Sequence, residues 1–306
     1  MRVEDNVTAS GRVTAGVLLG GLGVLAFSLT LPVTRISVAG LDPWFVAFGR
    51  AAVAGVLAIG YLVLSGRRRF NREDAPQLWP TGRQLRRLVV VAFGVVIGFP
   101  LCTSIALTQA TAAHGAVVIA LLPAATAVFA VVRGGERPSP PFWLAAGAGF
   151  VAVVTFVAVS GGMAGGFRTA DLWFLAAVLV CALGYAEGGA LARDLGGART
   201  ICWALVLALP VTVPLAVFAA HDVGAAGTTA WLGFAYVAVI SQFLGFFAWY
   251  GGLARGGVAR IGQVQAVQPV LTLVWSAVLL HEHVDVITVA VAVVVLACVV
   301  LTQRAR

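Results

Sequence analysis

The sequence predicts an all-α integral membrane protein with ten transmembrane helices, and three observations lead there. Of its 306 residues 60% are hydrophobic and 10% charged, with a mean hydropathy of +0.99. A soluble domain needs a far more polar surface. The apolar residues fall in runs of about 20, the length a helix needs to cross about 30 Å of hydrocarbon. The charges cluster between these runs and are not spread along helix faces, as the loops of a multi-pass protein require.

In order, the runs lie near residues 13–34, 44–64, 88–108, 114–132, 142–160, 172–191, 201–220, 230–252, 258–280 and 285–302. The first follows a charged tail, residues 1–12, which lacks the basic start, short apolar region and cleavage site of a signal peptide in that order. The second opens at Trp44 and closes on Arg67, Arg68 and Arg69; an Arg-rich stretch over 65–87 then leads into the third. Trp143, Trp173, Trp203 and Trp231 stand at the starts of the fifth to eighth runs, where an amphipathic indole prefers the membrane interface. The ninth and tenth are separated by His281, Glu282 and His283. Barrel strands are excluded, because the runs lack alternation and have twice the length a strand requires.

The arginines set the orientation. With the N-terminus in the cytoplasm, 17 of the 20 arginines fall on the cytoplasmic side, Arg35 and Arg168 fall outside, and Arg50 lies within a helix. Such a bias predicts that both termini are cytoplasmic, in a cell inner or plasma membrane, and supports an even number of crossings. The formal charge of +8 and pI near 10.3 do not indicate nucleic acid. A nucleic-acid surface needs a contiguous basic face with polar or aromatic readers, and these arginines are dispersed among loops. Cys102, Cys181, Cys202 and Cys298 all fall in apolar runs without metal-ligand spacing and read as buried thiols.

An internal repeat organises the chain. A shift of 146 positions lays Pro123 on Pro269, Thr126 on Thr272 and Glu136 on Glu282. Proline and glutamate are scarce here, so their coincidence carries more weight than matches of Ala or Val. Earlier in the chain a shift of 158 lays Arg35 on Arg193 and Phe27 on Tyr185, the difference being the long Arg-rich loop. The repeats are residues 13–160 and 172–302. Five helices in each give the two copies opposite orientation, a transporter architecture with the substrate path between the halves.

The segment from Leu107 through Pro123 to Glu136, and its echo from Leu253 through Pro269 to Glu282, resemble the paired EamA-type repeat of the drug/metabolite transporter superfamily. In that family a helix with a central proline ends in a Gly/Leu-Glu step before another apolar helix; here the steps are Gly135-Glu136 and Leu280-His281-Glu282. The resemblance covers residues 13–302. It implies ten helices as two inverted five-helix repeats, cytoplasmic termini, and export of amino acids or related metabolites driven by an ion gradient such as protons.

Several residues are candidates to carry that function. Arg50 lies about six positions inside the second run, roughly 9 Å from its end at 1.5 Å per residue. A guanidinium at such depth needs a partner or water. It reads either as a clamp for a substrate carboxylate or as a structural tie. Glu187, late in the sixth run, is a candidate coupling site for a proton or a ligand for an ammonium group, or else the partner of Arg193 or another inner-loop arginine. In the ninth run Gln265, Gln268, Thr272 and Ser276 follow helical spacing, with Trp275 beside them. The matching positions of the first half are Ile119, Leu122, Thr126 and Ala130, so this polarity is one-sided. It lines a cavity or bonds neighbouring helices. Ser241, Gln242, Phe246, Trp249 and Tyr250 form an amide and aromatic cluster on the eighth run, suited to an apolar or aromatic metabolite.

Glu136 and Glu282 read as helix caps ahead of the fifth and tenth helices. His281 and His283 flank one carboxylate, too weak a pattern for a metal site, and His114 and His221 read as interfacial. Gly16 with Gly20, and Gly94 with Gly98, have the spacing that lets helices approach closely.

The composite expectation is a secondary active transporter working by alternating access, with no metal or cofactor. Its partners are the lipid bilayer, a small-molecule substrate and protons, with no nucleic acid. A non-transporting receptor or assembly subunit is the alternative, and an intramembrane enzyme lacks the opposed acids, Ser–His pair or metal cluster it would need. An ATP-driven pump is excluded by the lack of any lysine for a phosphate-binding loop.

Overall fold

The computed structural model describes residues 2–69, 79–134, 139–160, 168–221, 223–256 and 264–304. Among these residues every regular element is helical. Eight helices are long and apolar enough to cross a membrane: α1 (Thr14–Val38), α2 (Pro43–Gly66), α3 (Gly82–Gln109), α4 (Ala112–Val132), α5 (Pro140–Val159), α6 (Thr169–Leu195), α7 (Gly197–Phe218) and α8 (Thr228–Arg255). Two shorter apolar helices complete the series, α9 (Gln268–Leu280) and α10 (Val286–Thr302). Helical backbone precedes α1 from Arg2, so the expected N-terminal tail is itself continuous with the first helix.

The shortness of α9 has a cause in its sequence. The helix breaks in a turn at Ala266 and Val267, just before Pro269. Proline lacks an N–H, crowds the carbonyl four residues back, and disfavours helical backbone at the residue before it. The same break recurs in α4 at Ala120 and Leu121, before Pro123. Leu121 N donates to Val118 O at 3.2 Å and Ala125 N to Leu121 O at 2.9 Å. Displaced by 146 positions, Val267 N donates to Val264 O and Leu271 N to Val267 O, both at 3.2 Å.

A second irregularity also occurs twice. α3 widens to a π-helix over Ala92–Gly98, and α8 does so over Tyr236–Leu244. Phe99 N reaches back five residues to Gly94 O, and Gly245 N to Ile240 O, again 146 positions apart. Such π-bulges are rare and gather at functional sites. The repeat inferred from scattered prolines and glutamates is therefore present in the backbone.

Packing follows the same pseudo-symmetry. α2 packs along α7, α5 along α10, and α4 against α9, each helix meeting its own counterpart. The α1–α8 interface is matched by α6–α3. Both of these are made close by glycine. A Cβ on Gly252 would stand 2.7 Å from Gly20 N and 2.9 Å from Gly16 O, and one on Gly94 would overlap the Val180 carbonyl oxygen. Small residues let helix backbones approach where no hydrophobic effect drives association. Outside, large apolar side chains such as Leu144, Phe218 and Val286 are almost fully exposed, at 74%, 83% and 84%. Leaving each in water forfeits about 1.5–3 kcal/mol, so this surface belongs in lipid.

Candidate functional site

A narrow cavity of about 30 Å³ lies between the two halves. The first half contributes Phe27, Thr30 and Leu31 of α1, Arg50 of α2, Val95 and Phe99 of α3, and Ile119 and Leu122 of α4 to its lining. The second half contributes Cys181 and Tyr185 of α6, Ser241, Gln242 and Phe246 of α8, and Gln268 of α9. A smaller cavity adjoins it, sharing Leu31, Ile119, Leu122 and Gln268 and adding Gln265, Thr272 and both repeat prolines, Pro123 and Pro269. The broken helices and both π-bulged helices thus meet at one place. Proline at 123 and 269 deprives the Ile119 and Gln265 carbonyls of their usual helical donors, and both of these residues border the smaller cavity.

Arg50 is 1% exposed and faces the larger cavity. Its Nη2 donates to Ser241 Oγ at 3.1 Å, and Ser241 Oγ in turn shares a hydrogen bond of 2.8 Å with Thr30 Oγ1. Among the described residues the guanidinium Nε and Nη1 have no partner, and neither do Gln242 Nε2 and Trp249 Nε1. Buried polar groups are nearly always hydrogen-bonded, and a buried charge more so. The orphaned donors of Arg50 and Gln242, which both line this cavity, mark a place where a ligand supplies the acceptors.

The ninth-run stripe divides into two parts. Gln265, Gln268 and Thr272 border the smaller cavity, and Gln268 the larger one as well. Thr272 Oγ1 also donates to the Ser28 carbonyl at 2.8 Å, and Trp275 Nε1 donates to Ser28 Oγ at 3.0 Å. Pro32 explains why that carbonyl accepts a side chain: with no N–H at position 32, the helical donor to Ser28 O is missing. Thr272 and Trp275 therefore tie α9 to α1, and Trp275 borders neither cavity. Trp249 lies behind the larger cavity, buried against Phe27 and Tyr185 with ring centroids 6.4 and 6.2 Å away.

Glu187 is buried, and its Oε2 accepts from Arg87 Nε at 2.5 Å. The pair joins the start of α3 to the end of α6, and Glu187 borders neither cavity. Two further contacts join the halves at the opposite ends of these helices. His114 Nε2 lies 2.6 Å from Asp171 Oδ1, and Arg35 Nε lies 3.8 Å from Glu282 Oε1 while its Nη1 donates to the Leu107 carbonyl.

One expectation needs correction. Glu282 does cap a helix, but not α10: its two oxygens accept from Ala112 N at 2.9 Å and Ala113 N at 2.8 Å, the start of α4. The cap of α10 is Asp285, whose Oδ1 accepts from Thr288 N at 2.6 Å. The fold brings the α9–α10 loop over α4, which local spacing does not reveal. His114, in the first turn of α4, pairs with the buried Asp171 and stacks on Phe156, partners that its position alone did not show. Glu136 lies outside the described residues.

Phe27, Thr30, Phe99 and Tyr185 are cavity residues that the candidate set omitted. The signal for two of them was the repeat itself, since Phe27 and Tyr185 occupy equivalent positions and both face the cavity. Asp171 was missed because it stands at the edge of its apolar run, where a carboxylate reads as solvated. Among the described residues no group of three His, Cys, Asp or Glu side chains could hold a metal ion.

The family model for EamA-like transporters matches residues 14–158 and again residues 168–304, the two five-helix halves. The chain is 47% identical over 294 residues to the uncharacterized transporter YdeK of Bacillus subtilis (strain 168), covering 96% of this chain and 98% of that one. A protein of known crystal structure, 17% identical, superposes with a TM-score of 0.61 over 94% of this chain and 96% of its own, a likeness of fold. With a repeat visible in sequence, backbone and helix pairing, and with both halves matched, this chain belongs to the EamA-like transporter family.

Proposed function

We propose that the chain is a secondary active transporter of the cell inner or plasma membrane, with both termini cytoplasmic. It exports amino acids or related small metabolites by alternating access between its two inverted repeats. The observation that carries this reading is Arg50, a buried guanidinium with unpartnered donors at a cavity between the halves. Gln242, Gln265 and Gln268 complete the substrate site, with Thr272, Trp249 and Trp275 supporting it from behind. Rocking one half against the other would open this cavity to alternate sides. The latches are the contacts across the halves: Arg87–Glu187 at one end, Arg35–Glu282 and His114–Asp171 at the other. Glu187 is the proposed coupling residue, exchanging a proton when its contact with Arg87 opens.

The test is a flux screen in proteoliposomes across amino acids, their keto and amine relatives, and other small metabolites, with and without an imposed proton gradient. Saturable movement of one class, lost in Arg50→Ala with normal insertion, is the expected result. Flux unchanged in Arg50→Ala would remove the cavity from the substrate path.

A further inference from the structure

The charge balance of the cavity narrows what it can hold. A guanidinium presents five N–H donors in a planar fork. Ser241 takes one from Nη2, and Nε and Nη1 have no partner among the described residues. Whichever Nη2 hydrogen Ser241 uses, one two-pronged edge of the fork stays open. A carboxylate fits such an edge with two parallel, charge-assisted hydrogen bonds. Gln242 Nε2 adds another unpartnered buried donor on the same cavity. Against these donors, no Asp or Glu among the described residues lines this cavity or the adjoining one. The buried carboxylate of Glu187 is bound to Arg87 and borders neither.

We infer that the cavity binds the anion of an apolar carboxylic acid, one without an ammonium group, in preference to the zwitterionic amino acid of the same body. This rests on the reading of Arg50 as the substrate site. The anion neutralises the guanidinium and leaves the occupied cavity uncharged. A zwitterion brings its own cation along with its carboxylate, so the cavity keeps a net positive charge and two cations stand close together. In a low-dielectric interior that repulsion is larger than in water. Hydroxyls and amide oxygens from Thr30, Ser241 and Gln268 can solvate an ammonium, but they carry no compensating charge. The body of the ligand meets Phe27, Phe99, Tyr185 and Phe246 together with Leu31 and Leu122, an apolar and largely aromatic wall.

The experiment is calorimetric titration of the full chain in nanodiscs with matched ligands. The set is 3-phenylpropionate, phenylalanine and phenethylamine, joined by straight-chain carboxylates from acetate to decanoate. The variants are Arg50→Gln, which removes the charge, and Arg50→Lys, which keeps it but loses the fork. The expected result is that at least one carboxylate without an amine binds ten or more times tighter than phenylalanine. Phenethylamine should not bind, and Arg50→Gln should weaken the carboxylate at least tenfold, with Arg50→Lys in between. Phenylalanine binding as tightly as 3-phenylpropionate, and lost in Arg50→Gln, would overturn the anion preference while leaving Arg50 in the site. Carboxylate binding undiminished in Arg50→Gln would overturn both readings. No saturable binding by any carboxylate, in protein that unfolds cooperatively on heating, would overturn the inference as well.

Discussion

Glu282, in the loop between α9 and α10, holds the backbone of Ala113 at the start of α4, with 2.8 Å between its Oε2 and the amide nitrogen. Its other oxygen takes Ala112 N and lies 3.8 Å from Arg35 Nε. One carboxylate therefore joins α1, α4 and the α9–α10 loop, across the boundary between the repeats. Substituting Glu282→Gln removes the charge and leaves one good acceptor where there were two. The expected cost is about 1–2 kcal/mol, the range of a lost charged cap, read as a lower midpoint in thermal unfolding in detergent. An unchanged midpoint would mean that water replaces the carboxylate without loss.

Thr272 and Gln268 stand one helical turn apart on α9 and should fail in different ways. Thr272→Val removes a hydroxyl that satisfies the carbonyl freed by Pro32, so stability should fall by about 1 kcal/mol with ligand affinity kept. Gln268→Leu should lower affinity with stability kept, because Gln268 borders both cavities. Paired melting and binding measurements test the assignment; matching effects in both variants would dissolve it.

The glycine interfaces give a prediction with an internal control. A methyl on Gly94 or Gly252 would overlap backbone atoms of the facing helix, whereas one on Gly147 meets nothing within 4 Å. Gly94→Ala and Gly252→Ala are expected to cost about 1–3 kcal/mol, as overpacking does, and Gly147→Ala to be neutral. Equal stability of all three would show that the helix pairs separate at little cost.

For coupling, Glu187→Gln is expected to make flux insensitive to an imposed pH gradient. Arg87→Gln removes the guanidinium but keeps the carboxylate, and should preserve that sensitivity. Gradient dependence that survives in Glu187→Gln would leave Glu187 as a tie to Arg87.

Asp285 gives a pH dependence outside the membrane. Hydrogen bonds from the Thr288 side chain and backbone hold its carboxyl below the usual carboxylate range. A depressed value means that the cap contributes fully above the ordinary pKa of about 3.9 and is lost as the pH falls through the lower folded value. Amide exchange at Thr288 and Val289, corrected for intrinsic rate, should accelerate on acidification through that window. In Asp285→Asn, which cannot titrate there, the acceleration should vanish; its persistence would assign the fraying to another group.

The helices were legible because crossing hydrocarbon imposes a length and an apolarity that few other demands impose. Arg50 stood out for the same reason, as a charge inside an apolar run. Where reading along the chain fell short, the partner lay far away in sequence. Glu282 was legible as a cap, but the helix it caps begins 170 positions earlier. Glu187 was visible as a buried acid with an inner-loop arginine as its alternative partner, but only the fold selects Arg87, 100 positions earlier. Trp275 and Gln268 looked alike on a helical wheel, and only the position of Ser28 makes one of them glue.

By itself the sequence determined the all-helical membrane fold, the ten apolar segments and the two-repeat plan. Hydropathy and proline act locally, through the hydrogen bonds of one helix and its contact with lipid. Tertiary structure decided which polar groups find partners and which remain open at the cavity. That depends on how helices from opposite repeats pack, and a buried donor is satisfied or orphaned by atoms that no local pattern specifies.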